Sequence, residues 1–366
     1  MHSLRAIGAG RIFTGENWLD NHAVLIRGEV VEDLLPAATL PEGIPVEQYP
    51  DAWLVPAFID LQIYGAYGKL LAVYPEADSL YKLNAYCRSG GAALCMPTVA
   101  TNTADVFLQS IDAIRDYWQR GGEGVMGLHV EGPWLHPLRR GAHIESLIHS
   151  PTEKEVRKLL DYGRDVIRII TLAPEMVSPA IIDLILSRGI LISAGHSNAS
   201  YTEALAGFDR GIRAVTHLYN AMSPLQHRAP GLVGAAFLDQ RVMASIIPDG
   251  YHVDYAAIRI AKQMMRDRLF VITDAVTETT EGAYPHQSAG DKYEASGILS
   301  GSALTMLQAA KNLVQYADVE AGEAFRMCSL YPARLLRLDK EFGKIEKGYK
   351  NNMLLLNQQL ELIKWV

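Results

Sequence analysis

The chain has 366 residues, of which 49% are hydrophobic and 20% charged, and it carries a formal net charge of -7. That length and composition fit a globular protein with one large and one small domain, and the mild acidity gives no electrostatic reason to expect a nucleic-acid partner. No stretch nears ~18 consecutive apolar residues, so no membrane span is expected. Three cysteines, Cys87, Cys95 and Cys328, share no metal-binding spacing, and an odd count argues against a disulfide framework.

That cysteine usage makes a reducing cytoplasm the expected compartment, and the opening MHSLRAIGAGRIF reads as too short and broken an apolar run for a signal peptide. Residues 5 to 50 read as β-rich: AVLIRGEVVEDLL predicts a hairpin around Arg27–Gly28, and LPEGIP is turn material. From residue 54 the rhythm changes. Eight short apolar runs follow, LVPAFIDLQI (54–63), AALCMPTVA (92–100), GVMGLHVEG (124–132), VIRIITLAP (166–174), ILISAGH (190–196), AVTHLYNAM (214–222), ASIIPDG (244–250) and LFVITDAV (269–276). Stretches with helical spacing separate them, among them 105–119, 152–163 and 253–265. Near-continuous apolar strands joined by helices mean a parallel sheet covered on both faces. Eight of them predict a closed (β/α)8 TIM barrel. Segments 302–317 and 321–338 look helical, and the tail from 343 returns to turn and strand texture. The expected division is therefore residues 1–53 and 343–366 in one small discontinuous β-rich domain, with the barrel over 54–342.

Polar residues gather at the C-terminal ends of the runs, where a barrel keeps its active site: Asp60 and Gln62, Thr98, Glu131, His196, His217 with Asn220, Asp249 and Asp274. An open doubly wound sheet would gather fewer, and neither G-x-G-x-x-G after a first strand nor a Walker loop is present. Glu131, His196 and His217 sit at the tips of runs three, five and six. Adjacent strands lie about 5 Å apart, so these side chains can converge. Two imidazoles and one carboxylate suit a catalytic divalent metal with an open position; the plainer alternative is hydrogen bonding to rim neighbours. Asp274 in VITDAV can serve as a general base or cap a turn. Arg228 in the loop HRAPG can bind an anion through paired hydrogen bonds or sit solvated. His252 and the small-residue loop 297–306 have structural readings of equal simplicity.

Taken together, PAFIDLQIYGAYG (56–68), HVEGPWL (129–135), RRGAH (139–143), SAGHSNA (193–199), THLYNAMSPLQHRAPGLVGA (216–235), DGYHVD (249–254), VITDA (271–275) and LSGSALTM (299–306) resemble the N-acetylglucosamine-6-phosphate deacetylase family of the amidohydrolase superfamily, in the family's order. The resemblance implies hydrolysis of an N-acetyl group from N-acetylglucosamine 6-phosphate, with N-acetylgalactosamine 6-phosphate as the alternative substrate. It implies one divalent metal per subunit on Glu131, His196 and His217, zinc first, with iron, nickel, manganese or cobalt as alternatives. It makes the small domain a β-sandwich built from both chain ends, and assigns Asp274 as catalytic acid and base and His143 to the substrate amide. Asn220, Ala221, Arg228, His252 and Leu304 fall at substrate-binding positions, with Arg228 and His252 expected near the partner's active site in a homodimer. Gln62 and Tyr64 stand where much of the superfamily has His-x-His, which favours a mononuclear site over a dinuclear one. Trp134 replaces the common Phe, and the segments 144–146 and 276–281 depart from the family pattern near the site. Dihydroorotase-like and hydantoinase-like readings need that first-strand pair and a fourth-strand Lys; run four ends RIITLAPE.

Overall fold

The computed structural model describes residues 3–295 and 297–366. Eight parallel strands follow one another around a ring in chain order: Phe58–Ile63, Ala92–Ala100, Leu128–Glu131, Ile167–Leu172, Leu191–Ala194, Ala214–Val215, Met243–Ile246 and Leu269–Val271. They are strands one to eight below. The Tyr64 amide donates to the Ala275 carbonyl (2.9 Å) and the Asp274 amide to the Gln62 carbonyl (3.0 Å), joining the first strand to the end of the eighth. Asp60 reinforces this seam by accepting from the Thr273 hydroxyl at 2.5 Å. Every residue of strand one is buried, as a sheet covered on both faces requires.

The expected helices are present as Ala104–Gln119, Glu153–Tyr162 and Tyr255–Met265. The second starts where its sequence says it should: Thr152 accepts from the Glu155 amide while the Glu155 side chain reaches back to the Thr152 amide. Segment 321–338 differs from its reading as one helical stretch. It forms two helices, Ala321–Cys328 and Leu330–Leu335, because Pro332 has no N–H to return to the Cys328 carbonyl and Ser329 leaves the helical conformation. Past strand eight, Gln287–Ser288, Lys292–Ala295 and Ile298–Ser302 build a three-stranded antiparallel sheet. No helix among the described residues is long and apolar enough to cross a membrane.

Both chain ends contribute to the second unit, a seven-stranded mixed sheet. Its order is Leu362–Trp365, Met353–Leu356, Val46–Pro56, Leu4–Phe13, His22–Arg27 and Val30–Pro36, with Trp18–Asp20 also paired to Leu4–Phe13. The expected hairpin joins His22–Arg27 to Val30–Pro36, and Gly28 takes the left-handed conformation (φ 62°) that the tight turn requires. Ile7, Ile12, Val24, Ile26, Leu54 and Leu355 give this sheet an apolar core of its own.

Phe325 fastens the sheet to the barrel. Fully buried, it lies 5.8 Å from Phe13, 6.1 Å from Trp18 and 6.4 Å from Trp53 on the sheet side, and stacks at 6.1 Å on Phe58 of strand one. Aromatic contacts of this kind add to simple area burial. Phe325→Ala is expected to lower unfolding stability by about 3–5 kcal/mol in denaturant titration, the range for a phenylalanine removed from a packed core.

Candidate active site

Strand three ends on Glu131, only 1% exposed. Its two oxygens have different surroundings. Oε2 accepts from the Tyr64 hydroxyl at 2.5 Å and lies 3.4 Å from His143 Nε2. Oε1 faces His217 Nε2 at 3.2 Å and His196 Nε2 at 3.4 Å, and the two imidazole nitrogens are 3.1 Å apart. Three donors at 3.1–3.4 Å spacing are what a tetrahedral ion demands: ligand bonds of about 2.0–2.1 Å put tetrahedral vertices roughly 3.3 Å apart.

Protonation supports the same fit. The His196 Nδ1–H donates to the Arg139 carbonyl at 2.9 Å, which leaves the Nε2 lone pair turned toward Glu131 and His217. Burial pushes the His196 imidazole down to about 4, so it is neutral. Burial also works against ionised Glu131, but the hydrogen bond from His143 and the other two imidazoles facing the carboxyl outweigh it and hold it well below its usual range. A carboxylate and two inward-facing imidazole nitrogens, packed this closely out of water, form a donor set that a divalent cation satisfies.

His143 also approaches this set: its ligand atom lies within 4.8 Å of those of Glu131 and His196. Its hydrogen bonding gives it a different capacity. The Thr101 backbone N–H donates to His143 Nδ1 at 3.3 Å, with the Thr101 hydroxyl at 2.7 Å. A nitrogen that accepts from an amide carries no proton, so Nε2 bears it and points into the site as a donor. His143 can therefore donate to an oxyanion from where it stands.

Asp274, directly after strand eight, completes the group. Gln62 Nε2 lies 2.8 Å from Asp274 Oδ1, 3.0 Å from Glu131 Oε1 and 2.8 Å from the Tyr64 oxygen, so one amide spaces the two carboxylates. Burial raises the Asp274 carboxyl above its ordinary value, with Glu131 adding to the rise and His217 opposing it. A carboxyl in this position beside the donor set is placed to take and return a proton. Asp249 accepts from His252 Nδ1 at 2.5 Å and thereby directs His252 Nε2 to within 4.0 Å of Asp274 Oδ2.

The structure brings Glu131, His143, His196, His217, His252 and Asp274 together within one chain. The sequence expectation placed His252 beside Arg228 at a partner's site; the hydrogen bond to Asp249 instead ties it to its own chain's Asp274. Arg228 is exposed in the loop between Gln226 and Ala229 and forms no ion pair among the described residues. Asn220 is half-buried at the rim, its amide donating to the His217 and Leu218 carbonyls at 3.3 Å. The Ala221 carbonyl accepts from the Ser197 amide. The Leu304 amide is occupied by Ser302 Oγ at 3.0 Å and its carbonyl by Tyr86, so this loop presents no free amide at that residue. His129, beside Glu131 in sequence, turns the other way and is satisfied by the Leu61 carbonyl (3.2 Å) and Thr171 (2.7 Å). Sequence reasoning missed the bridging by Gln62 and Tyr64. Its signal was the alternation Asp60, Gln62, Tyr64, which puts all three on one face of an extended chain.

A closed parallel barrel whose rim carries a Glu–His–His donor set facing a buried aspartate defines a metal-dependent barrel hydrolase. The sequence profile of the Amidohydrolase family matches residues 53–364, and that of the NagA composite domain matches residues 6–48. An N-acetylglucosamine-6-phosphate deacetylase from Haemophilus influenzae is 32% identical over 363 residues, covering 96% of this chain and 95% of the relative. An N-acetylgalactosamine-6-phosphate deacetylase from Escherichia coli is 32% identical over 373 residues, 99% of this chain and 96% of the relative. Among solved structures, a mutant N-acetyl-D-glucosamine-6-phosphate deacetylase from Mycobacterium smegmatis, in complex with N-acetyl-D-glucosamine-6-phosphate, superposes with a TM-score of 0.91 at 27% identity, over 100% of this chain and 98% of that one. The chain belongs to the amidohydrolase superfamily, in its N-acetylglucosamine-6-phosphate deacetylase family.

The two readings of the donor set separate by metal content. His217→Asn is expected to drop the tightly bound divalent ion from about one per chain to near none, whereas His143→Asn should retain it. Elemental analysis after dialysis reads both.

Proposed function

We propose that the chain hydrolyses the N-acetyl group of an N-acetylated hexosamine 6-phosphate, N-acetylglucosamine 6-phosphate first, releasing acetate and the free amino sugar phosphate. The observation that carries this is the Glu131, His196 and His217 donor set at 3.1–3.4 Å, flanked by the donor His143 on one side and the carboxyl of Asp274 on the other. N-acetylgalactosamine 6-phosphate is the second reading, favoured by the equal 32% identity to relatives named for either sugar.

Glu131, His196 and His217 would hold one divalent ion, zinc by the nitrogen and oxygen donors available, with iron, nickel, manganese or cobalt also compatible. When bound, such an ion lowers the pKa of water and polarises a carbonyl. Asp274 takes a proton from the attacking water and returns it to the departing amine, one carboxyl serving as base and then acid. His143 Nε2–H donates to the amide oxygen as it gains negative charge, and Thr101 fixes the tautomer that makes this possible. Gln62 and Tyr64 keep Asp274 and Glu131 apart and oriented. Asn220, Ala221 and His252, at the rim beyond strands six and seven, lie where a sugar attached to the amide nitrogen would rest.

Arg228 is the cation assigned to the 6-phosphate. Its exposure, and its lack of an ion-pair partner among the described residues, support a homodimer in which it reaches the partner's site. The buried thiols Cys87, Cys95 and Cys328 suit a reducing cytoplasm.

Asp274→Asn is expected to lower kcat by about 10²–10⁴ in an acetate-release assay while the ion stays bound; an ion lost along with the activity would remove the acid–base role. Replacing Arg228 by Met should raise KM at least tenfold, on the order of one lost charge-assisted contact, with a smaller change in kcat. Unaltered KM would remove the phosphate contact. Comparing acetate release from N-acetylglucosamine 6-phosphate and N-acetylgalactosamine 6-phosphate decides the sugar, and release from neither, with the ion bound, overturns the reading.

A further inference from the structure

Next to the cluster the rim opens into a cavity of about 60 Å³. Tyr64, Glu131 and His143 form its inner end. It opens beyond strands one to three, whereas Asn220 and His252 follow strands six and seven across the ring. Leu70, Ala72, Val73 and Val276 give it an aliphatic side, Thr98, Asn102, His286 and Ser300 give it polar groups, and Glu131 is the one carboxylate in its lining. The outer wall comes from the segment after strand eight. There the Tyr284 hydroxyl donates to the Thr101 carbonyl at 2.5 Å, and His286 Nδ1 meets Ser300 Oγ at 2.8 Å. Ala283 stands at the mouth, lining the cavity while itself exposed.

On the reading given above, the amide nitrogen and its sugar face strands six to eight, so the substituent on the other side of the carbonyl carbon faces this cavity. An acetyl group offers it one methyl. A volume of about 60 Å³ is several times the ~10–15 Å³ that one water-sized group needs, so it takes the methyl and about two further groups of that size. We propose that the chain also deacylates amino-sugar phosphates bearing longer saturated acyl groups, propionyl and butyryl, with the cavity enclosing the added carbons. The bond chemistry is unchanged: water oxygen joins the acyl carbon, the C–N bond breaks, the nitrogen takes a proton, and the products are a short-chain carboxylate and the free amino sugar phosphate. The proposal rests on the deacetylase reading.

The test compares N-acetyl, N-propionyl, N-butyryl and N-hexanoyl forms of whichever amino sugar 6-phosphate the metal-loaded enzyme prefers, following release of the free amine. A pocket fitted to a methyl alone rejects each added methylene by about tenfold or more. The cavity predicts instead that butyryl keeps kcat/KM within about tenfold of acetyl and that hexanoyl falls away. A larger fall at butyryl, with acetyl hydrolysed normally, overturns this proposal and leaves the deacetylase reading standing. No turnover of the acetyl compound overturns both. Ala283→Phe, at an exposed position, should lower the butyryl-to-acetyl ratio of kcat/KM at least tenfold, and Val73→Phe is the second variant should the first be poorly folded. A ratio unmoved by a folded variant of either kind overturns the placement of the acyl chain.

Discussion

A carboxylate buried at the end of a barrel strand is the constraint around which this site is organised. Glu131 is removed from water at a depth where an unpartnered charge is not tolerated. Every group around it answers to that. Tyr64 and Gln62 donate to it from strand one, and three imidazoles turn their Nε2 atoms toward it. Two of the imidazoles are anchored through their other nitrogen, so their ring orientations are decided before any ligand arrives: His196 by the Arg139 carbonyl and His143 by Thr101. The backbone of His217 is held by its amide donating to Ser245 Oγ at 2.8 Å, while its Nδ1 is buried without a partner among the described residues.

Holding these side chains has a conformational cost. His196, His217 and Asp274 all adopt left-handed backbone angles, with φ of 47°, 35° and 55°. Non-glycine residues in such positions cost on the order of 1–3 kcal/mol each and persist where surrounding structure over-determines them. The strain falls just after strands five, six and eight, where a sharp turn aims the side chain back over the barrel mouth. Rigid strands below and strained turns above make a site that is arranged in advance, which is what electrostatic catalysis needs.

The short apolar runs and the helical spacings between them were sufficient to read the barrel, because strands buried on both faces leave nearly unbroken apolar runs. The run AVTHLYNAM was less informative about extent. Only Ala214–Val215 is strand, since His217, Tyr219 and Ala221 then take positive φ angles and cannot continue it. Residue types at strand tips revealed which side chains could meet. They could not reveal tautomers, which depend on partners such as Thr101 and Arg139 from other loops. Nor could they show that Gln62 and Tyr64 hold two carboxylates in place, since that requires knowing that strands one and eight close on each other. The loop around 297–306 read as small-residue turns, while its pairing into a three-stranded sheet depends on a partner strand at Lys292–Ala295.

The seven-stranded sheet has a consequence for how the chain comes off the ribosome. Val46–Pro56, which leads directly into strand one, is flanked by Leu4–Phe13 on one side and Met353–Leu356 on the other, with Pro56 opposite Met353 and Trp53 opposite Leu356. The second of those neighbours, Met353 opposite Pro56, is translated roughly 300 residues later. At roughly 5–20 residues per second, the lead-in strand keeps one edge unpaired for some tens of seconds after it emerges. Throughout that interval its apolar end, Trp53–Pro56, lies open to association with other chains. Slower translation lengthens that exposure, so the yield of native protein depends on the pace of synthesis as well as on the stability of the finished fold.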